Sequence, residues 1–300
     1  MLGVVADDPL ASLDVFWTEL SPTRAVVYAR LTGVAYRAGW GLSGLIRGPR
    51  SVRHQTLPTT LSFTDLGPGP THLARAVVPD PSYWSPESPN IYDVTIELRR
   101  DGEPSLVEKR VLGFKPIRPG TRHLLREGKP WIPRGVRVVD QCPLDLAGAR
   151  EQRLVLVLSE TNEEPLYEAS RQGANVALEV AGSSEDIVKQ LRWSSRSPAV
   201  GFAVVRGQSA AAGQFREAAP NIILAQCIEG ARAEVWGDIV WVPYGGTNID
   251  AAWLRTLDKP IFWSAPIGSC DPLEEARRNC DQLQALLVRE GYGQFAGYFV

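Results

Sequence analysis

Leu154-Val-Leu-Val-Leu-Ser159 and Asn175-Val-Ala-Leu-Glu-Val180 are two short, continuous apolar runs separated by an amphipathic segment at 164–172. Strands of a parallel sheet read as continuous apolar runs because helices cover both faces of the sheet. A segment with polar residues along one side is typical of such a covering helix. Residues 154–180 therefore predict a strand–helix–strand unit of a parallel sheet.

The same pattern extends over the C-terminal part of the chain. Further apolar runs occur at 131–139, 200–205, 222–226, 239–242, 260–265 and 295–300, and further amphipathic stretches at 184–193, 248–257 and 272–290. Eight such units predict a contracted (β/α)8 TIM barrel over residues 121–300, near or below the lower end of the usual size range of ~200 to 400 residues. The fifth unit is the weakest, since 229–237 is barely long enough for one helical turn.

The N-terminal part has a different period. In Ile91-Tyr-Asp-Val-Thr-Ile-Glu-Leu-Arg-Arg100, apolar and polar residues alternate, as expected for a half-buried strand. Asp101-Gly102 then predicts a turn into a second strand at 106–112. Earlier strands are predicted at 14–20, 25–31, 59–65 and 72–78. Short strands at this spacing predict a β-sandwich over residues 1–120, so the chain is expected to hold two domains.

Composition limits the function classes. The 300 residues are 44% hydrophobic and 22% charged, which is typical of a globular protein. A net charge of −2 argues against a nucleic-acid partner, and the lack of an apolar run of ~20 residues argues against a membrane span. The N-terminus has no basic signal-like region, so the expected location is the cytoplasm, or outside it if the true start lies upstream.

The cysteines and histidines predict no metal site. All four cysteines are predicted to be reduced thiols, with a Cys270–Cys280 disulfide as the open alternative. The histidines precede the cysteines without ligand-like spacing, and the predicted barrel strands contain none. Gly39-Trp-Gly-Leu-Ser-Gly44 matches a dinucleotide-binding pattern, but it lies in a β-rich region with Pro49 close behind it, so it predicts a turn or a bulge. No cofactor is expected.

Four motifs appear in order across the junction of the two parts. They are Trp84-Ser-Pro-Glu-Ser-Pro-Asn-Ile-Tyr92, Gly113-Phe-Lys115, Leu124-Leu-Arg-Glu-Gly-Lys-Pro130 and Arg134-Gly-Val136. Together they resemble family 2 glycoside hydrolases, the superfamily of β-galactosidases and β-glucuronidases. The resemblance implies that the first domain is an immunoglobulin-like sandwich and that the barrel begins at Arg134-Gly-Val136.

The resemblance also implies a catalytic site that this sequence lacks. Retaining glycosidases need two carboxyl groups about 5–5.5 Å apart. The alignment places Gln208 at the family's acid/base glutamate, and Ala265 or its neighbour Pro266 at the nucleophile. A glutamine cannot donate and recover a proton at neutral pH. The family's N-terminal jelly-roll domain has no counterpart, and Arg137-Val-Val-Asp140 replaces the histidine that usually follows Arg-Gly-Val.

Two functions remain open. The favoured hypothesis is a non-catalytic homologue that binds carbohydrate or acts as a scaffold for another protein chain or a second copy. The residues expected to line its ligand site are Asp140, Arg206, Gln208, Tyr244 and Trp263. Tyr244 matches a family tyrosine near the nucleophile, although Val242 replaces the usual asparagine.

The alternative is an active glycoside hydrolase with relocated carboxylates. Glu160 and Glu179 follow or end adjacent predicted strands. Neighbouring strands lie roughly 4.8 Å apart, so these two carboxyl groups are the candidate catalytic pair. The competing interpretation is that they bind loop amides or pair with Arg206.

Overall fold

The computed structural model describes residues 9–139, 142–159, 162–207, 209–228, 230, 232–245, 249–265, 272–292 and 295–300. Contacts between residues divide the chain into two units. The first runs to Trp84 and takes in Asn90–Phe114, and the second comprises Ser85–Pro89 and Lys115–Val300. No helix among the described residues is long and apolar enough to cross a membrane.

The first unit is a curled, sandwich-like sheet of seven antiparallel strands, which confirms the all-β prediction. The strands are β1 (Leu13–Ser21), β2 (Arg24–Ala35), β3 (Trp40–Arg50), β4 (Thr59–Asp65), β5 (Thr71–Pro79), β6 (Ile91–Arg100) and β7 (Glu103–Leu112). Their order across the sheet is β1-β2-β5-β4-β3-β6-β7. On β6 the side chains of Val94, Ile96 and Leu98 are buried in the core, as the alternation predicts.

Strand β3 is the one strand of this sheet that the sequence pattern missed. Residues 39–44 are predicted as a turn or a bulge, and glycines at 39, 41 and 44 and Pro49 lower the strand propensity of the segment. The structure keeps the turn at Gly39, with a φ of +82°, but continues as a strand paired with both β4 and β6. A Cβ added to Gly44 would lie 2.2 Å from the Thr95 carbonyl oxygen, so the close pairing itself requires glycine there.

The second unit is a closed barrel of eight parallel strands, which confirms the predicted number and direction. The strands in order around the barrel are β11 (Arg134–Arg137), β12 (Leu154–Leu158), β13 (Asn175–Val180), β14 (Val200–Val205), β15 (Ile223–Cys227), β16 (Ile239–Pro243), β17 (Ile261–Ser264) and β18 (Gly297–Phe299). A separate three-stranded sheet precedes it, made of β8 (Ile117–Pro119), β9 (Leu124–Arg126) and β10 (Lys129–Trp131). The predicted run at 131–139 is thus split between two sheets.

Six helices follow strands of the barrel. They are α1 (Leu146–Glu151), α2 (Glu163–Gln172), α3 (Ser184–Ser194), α4 (Ala212–Ala218), α5 (Ala251–Thr256) and α6 (Leu273–Arg289). Between β15 and β16 the described residues form no helix. Instead, the side chain of Gln226 on β15 forms hydrogen bonds with the backbone of this connection. Its amide nitrogen donates to the Glu234 carbonyl at 2.8 Å, and its amide oxygen accepts from the Trp236 amide at 2.8 Å.

Large aromatic side chains fill the inside of the barrel. Phe202, Trp241, Phe262 and Phe299 are fully buried, and the Trp241 and Phe299 ring centroids are 4.5 Å apart. Space for these rings comes from glycine on a neighbouring strand, since a Cβ on Gly135 would lie 2.3 Å from the Phe299 ring. The glycine of the Arg-Gly-Val motif is therefore required by packing.

The Trp84–Tyr92 motif contributes its middle, Ser85–Pro89, to the barrel unit. Gly173 caps α2 with a φ of +81°, and a Cβ there would lie 2.6 Å from the Pro86 carbonyl oxygen. Glu87 of the same loop pairs with Arg126 at 3.0 Å. Backbone conformation and close approach together require glycine at 173.

Replacing Gly173 by alanine should lower the free energy of unfolding by about 2–4 kcal/mol, because a left-handed conformation costs about 1–2 kcal/mol without glycine and the clash with Pro86 adds to it. Gly128→Ala is the matched control, since Gly128 has a φ of +77° and nothing within 4 Å of the added Cβ. Urea denaturation of both variants measures the difference. Equal losses in the two variants would show that the contact with Pro86 contributes nothing.

The prediction of four reduced thiols is wrong. Cys142 is disulfide-bonded, and its partner lies outside the described residues. Cys227 and Cys280 are free, so the alternative Cys270–Cys280 disulfide is also wrong. Cys280 is buried and lies 3.3 Å from the Gly135 carbonyl oxygen, and burial raises the pKa of its thiol to about 11. The prediction rested on an inferred compartment, which carries no information about which side chains the fold brings together.

Candidate functional site

The candidate site is the barrel mouth, the face where the carboxyl ends of β11–β18 meet. Within these eight strands Glu179 is the one acidic residue, and Arg134 and Arg137 are the one pair of basic residues. Ala177 of β13 lies in the barrel core, and side chains two residues apart share a face of a strand. Glu179 is therefore placed over the inside of the barrel.

Glu179 is held in an ion pair. The Nη2 atom of Arg137, on β11, donates a hydrogen bond to Oε1 of Glu179, so the pair spans β12. The two side chains are only 20% and 14% exposed, respectively. Nε of Arg137 is buried and has no hydrogen-bond partner among the described residues. Arg137 was missed by sequence reasoning, although a cation ending the first barrel strand is a readable signal.

A groove of about 730 Å³ opens beside Glu179. Its lining includes Ser159 and Asn162 after β12, Lys189 and Trp193 of α3, and Arg206 after β14. The lining combines hydroxyl, amide and charged groups with a partly exposed indole ring. Such a set of hydrogen-bonding groups beside an aromatic ring suits a polar ligand with an apolar face. Sequence reasoning missed Trp193, because a position in an amphipathic stretch alone does not show that the ring reaches a groove.

The structure brings two of the predicted site residues together. Glu179 and the exposed Arg206 line the same groove. Ala265 follows β17, and its backbone amide donates to the Phe299 carbonyl at 2.8 Å. Asp140, Glu160 and Gln208 lie outside the described residues. Pro266 does so as well.

Tyr244 and Trp263 form a separate cluster, and neither is among the residues that line the groove. Trp263 is buried at 3% exposure, and its ring lies edge-on to Tyr244 at 6.1 Å and to Tyr292 at 5.0 Å. The Tyr244 hydroxyl donates to Glu290 at 3.0 Å, and this hydrogen bond raises the pKa of Tyr244. The Trp263 ring also packs against Phe295 at 5.5 Å, so this cluster lies against the segment that follows α6.

The inside of the barrel below the mouth is closed. Trp241 donates from Nε1 to the Ser264 hydroxyl at 2.9 Å, and both side chains are buried. The Phe202, Phe262 and Phe299 rings pack around it. A ligand at the mouth therefore rests on a shallow floor. In the described part of the chain, no group of three or more His, Cys, Asp or Glu side chains could hold a metal ion.

Comparison with known proteins supports the resemblance found in the sequence. A sequence model of the glycosyl hydrolases family 2 matches residues 50–115. Solved structures with the same fold include a Bacteroides uniformis beta-glucuronidase at 15% identity, with 96% of this chain and 45% of that chain covered and a TM-score of 0.59. A Dictyoglomus thermophilum beta-D-glucuronidase is 15% identical, with 96% and 61% covered and a TM-score of 0.59.

A family 2 glycosyl hydrolase from Bacteroides cellulosilyticus is also similar, at 14% identity, with 96% and 43% covered and a TM-score of 0.61. The chain thus spans about half the length of the solved structures that it matches. Sequence identity of 14–15% indicates a shared fold and nothing beyond it. In sequence over residues 50–115, and in fold over nearly its whole length, this chain resembles the family 2 glycosyl hydrolases.

Proposed function

We propose that this chain is a non-catalytic relative of the family 2 glycosyl hydrolases whose groove at the barrel mouth binds carbohydrate. The observation that carries the proposal is the charge content of the barrel strands. Their single carboxylate, Glu179, is paired with Arg137. Hydrolysis with retention needs two carboxyl groups about 5–5.5 Å apart, one of them free to attack the anomeric carbon.

Two further features support this proposal. Ala265 or its neighbour Pro266 stands where the resemblance places the nucleophile, and neither side chain can attack. The aromatic floor formed by Trp241 and its neighbours keeps a sugar ring at the surface, where water weakens the electrostatic stabilisation of a transition state. Binding without turnover is compatible with both features.

The groove has the chemistry that carbohydrate recognition requires. Asn162, Arg206 and Glu179 line the groove and offer hydrogen-bond donors and acceptors to the hydroxyl groups of a sugar. Trp193 offers an aromatic surface for the apolar side of a sugar ring. Solved structures of similar fold carry the name beta-glucuronidase, so glucuronic acid is the first sugar to test.

The alternative function is hydrolysis by Glu160 and Glu179. It requires Glu179 to leave Arg137 and act together with a second carboxylate at the mouth. A scaffold role toward another protein chain or a second copy is the remaining form of the non-catalytic hypothesis. The same experiment distinguishes all three.

Incubation of the purified protein with a panel of aryl β- and α-glycosides should release no aryl group above the buffer blank. Titration with glucuronic acid and a glycan panel, followed by calorimetry, should detect binding to at least one sugar. Trp193→Ala should weaken that binding about three- to tenfold, since an aromatic contact contributes about 0.5–1.5 kcal/mol.

Trp253→Ala is the matched control, because Trp253 is also a partly exposed helical tryptophan but is not among the residues that line the groove. Aryl release that is lost in a Glu160→Gln/Glu179→Gln double variant would establish the hydrolase instead. Absence of binding to every sugar would leave the scaffold role. Equal weakening by both tryptophan variants would place the sugar elsewhere.

We further propose that the first unit corresponds to an immunoglobulin-like sandwich and the second to a contracted (β/α)8 TIM barrel, with the boundary near residue 120. The helices after six strands support the barrel assignment. The disulfide at Cys142 favours an oxidising compartment over the cytoplasm.

A further inference from the structure

A second cavity lies at the opposite end of the barrel from the mouth. Its volume is about 230 Å³, and we call it the basic cavity. Ile261, the first residue of β17, forms part of its wall, whereas the mouth lies where the strands end. The last turns of α5 and the chain after α6 form other walls through Leu254 and Tyr292. It shares no lining residue with the groove at Glu179.

All of the charged side chains that line this cavity are positive. Arg122, Arg255 and Lys259 line it, and its lining contains no carboxylate. None of the three forms an ion pair with a described residue. Lys259 donates to the carbonyls of Val235 at 3.3 Å and Gly237 at 2.6 Å, and Arg255 donates to the carbonyl of Gly291.

These contacts fix two of the cations without neutralising them. A carbonyl oxygen orients an ammonium or guanidinium group but supplies no net charge. Arg122, which is exposed, makes no hydrogen bond or ion pair with a described residue that would hold its guanidinium away from the cavity. Three positive charges around one small space favour an anion there, and arginine binds carboxylate and phosphate oxygens through two parallel hydrogen bonds.

The rest of the lining is apolar. Leu254 is 1% exposed, Ile261 6% and Phe295 8%, and Leu257 is partly buried. Tyr292 contributes its ring, which is fixed edge-on against Trp263 at 5.0 Å. A pocket with an apolar floor and a cationic rim favours a ligand that has both an apolar group and a negative charge. The ligand must also be small, because pockets for drug-sized ligands begin at about 300 Å³.

We propose that the basic cavity binds a small amphiphilic oxyanion, a carboxylate or phosphate monoester that carries one aromatic or short aliphatic group. The anionic head contacts Arg122 and Arg255 at the rim, beside the charge of Lys259. The apolar group lies on Leu254, Ile261 and Phe295. This site is independent of carbohydrate binding at the mouth.

Calorimetric titration of the full chain with phenyl phosphate, benzoate, inorganic phosphate and phenol tests the proposal. Phenyl phosphate or benzoate should bind, and the tighter of the two identifies the head group. Inorganic phosphate should bind at least about fivefold more weakly because it lacks the apolar group, and phenol should not bind measurably. Equal binding of phenyl phosphate and inorganic phosphate, or binding of phenol as strong as that of the anions, would overturn the proposal.

An Arg122→Gln/Arg255→Gln double variant should weaken binding at least about tenfold, since two charge-assisted contacts are lost. Arg278→Gln is the matched control, an exposed arginine on α6 that is not among the cavity's lining residues, and its affinity should remain within about twofold of the parent. Thermal unfolding verifies that both variants are folded. Unchanged affinity in the double variant, or equal loss in the control, would overturn the site.

Discussion

Replacing Trp241 by alanine should lower the free energy of unfolding by about 3–5 kcal/mol, the largest loss expected from any single truncation in the barrel. The indole is fully buried inside the barrel and packs against Phe262 and Phe299. Its removal leaves a cavity that the closed ring of strands cannot collapse to fill. It also leaves the Ser264 hydroxyl without its hydrogen bond from Nε1.

Denaturant unfolding followed by circular dichroism measures this loss. Trp241→Phe should cost less, about 1–2 kcal/mol, because most of the volume remains and only the hydrogen bond and part of the packing are lost. Added indole should restore part of the stability of Trp241→Ala by occupying the cavity. A loss below about 1 kcal/mol in the alanine variant would show that the barrel interior is not tightly packed around this ring.

Replacing Lys115 by methionine should stabilise the protein at neutral and acidic pH by about 2–4 kcal/mol. Lys115 is fully buried in the barrel unit, and its ammonium donates to the Val200 carbonyl. Burial lowers the pKa of Lys115 from 10.5 to about 7. This pKa difference corresponds to a free-energy cost of about 5 kcal/mol for burying the charged ammonium. Methionine removes that cost but also loses the hydrogen bond to Val200, so the net gain in stability is smaller.

The pH dependence follows from the same pKa. Between pH 7 and 10.5 the unfolded chain keeps the lysine proton while the folded chain has released it. Stability therefore rises with pH across this range, and below pH 7 the full cost of the buried ammonium is present. The advantage of Lys115→Met should be greatest below pH 7 and should shrink toward pH 10.5.

Urea denaturation of parent and variant across this pH range checks the prediction through the difference between the two curves. Lys109→Met is the matched control, since Lys109 is an exposed lysine of β7 and its replacement should produce no such slope. A constant difference between the parent and Lys115→Met over the whole range would show that Lys115 keeps its proton in the folded protein.

Lys115 lies in a motif that the sequence reveals, but its burial is a property of the tertiary structure. Gly113-Phe-Lys115 is one of the motifs that carry the resemblance, and the predicted boundary between the two parts is at residue 120. Contacts place Phe114 in the first unit and Lys115 in the second. That the buried lysine contacts the Val200 carbonyl, and no carboxylate among the described residues, depends on where β14 begins, and no local pattern contains that information.

The barrel could be predicted because its determinants are local. Each buried strand is a short apolar run, and 154–158 matches the predicted segment closely because a strand covered on both faces tolerates few polar residues. Strand β3 could not be predicted, since its glycines oppose a strand locally and only pairing with β4 and β6 supports it. The disulfide at Cys142 could not be predicted either, because its formation depends on which residues the fold brings together.

By itself the sequence determined that an all-β part precedes a barrel of eight parallel strands, because the periodicity of apolar residues is readable without coordinates. Only the tertiary structure decided that Arg137 reaches across β12 to Glu179, that aromatic rings close the barrel below them, and that Arg122, Arg255 and Lys259 surround one cavity. These residues are far apart along the chain. Closure of the barrel sets the distances between them, and those distances decide which charges are neutralised and which remain available to a ligand.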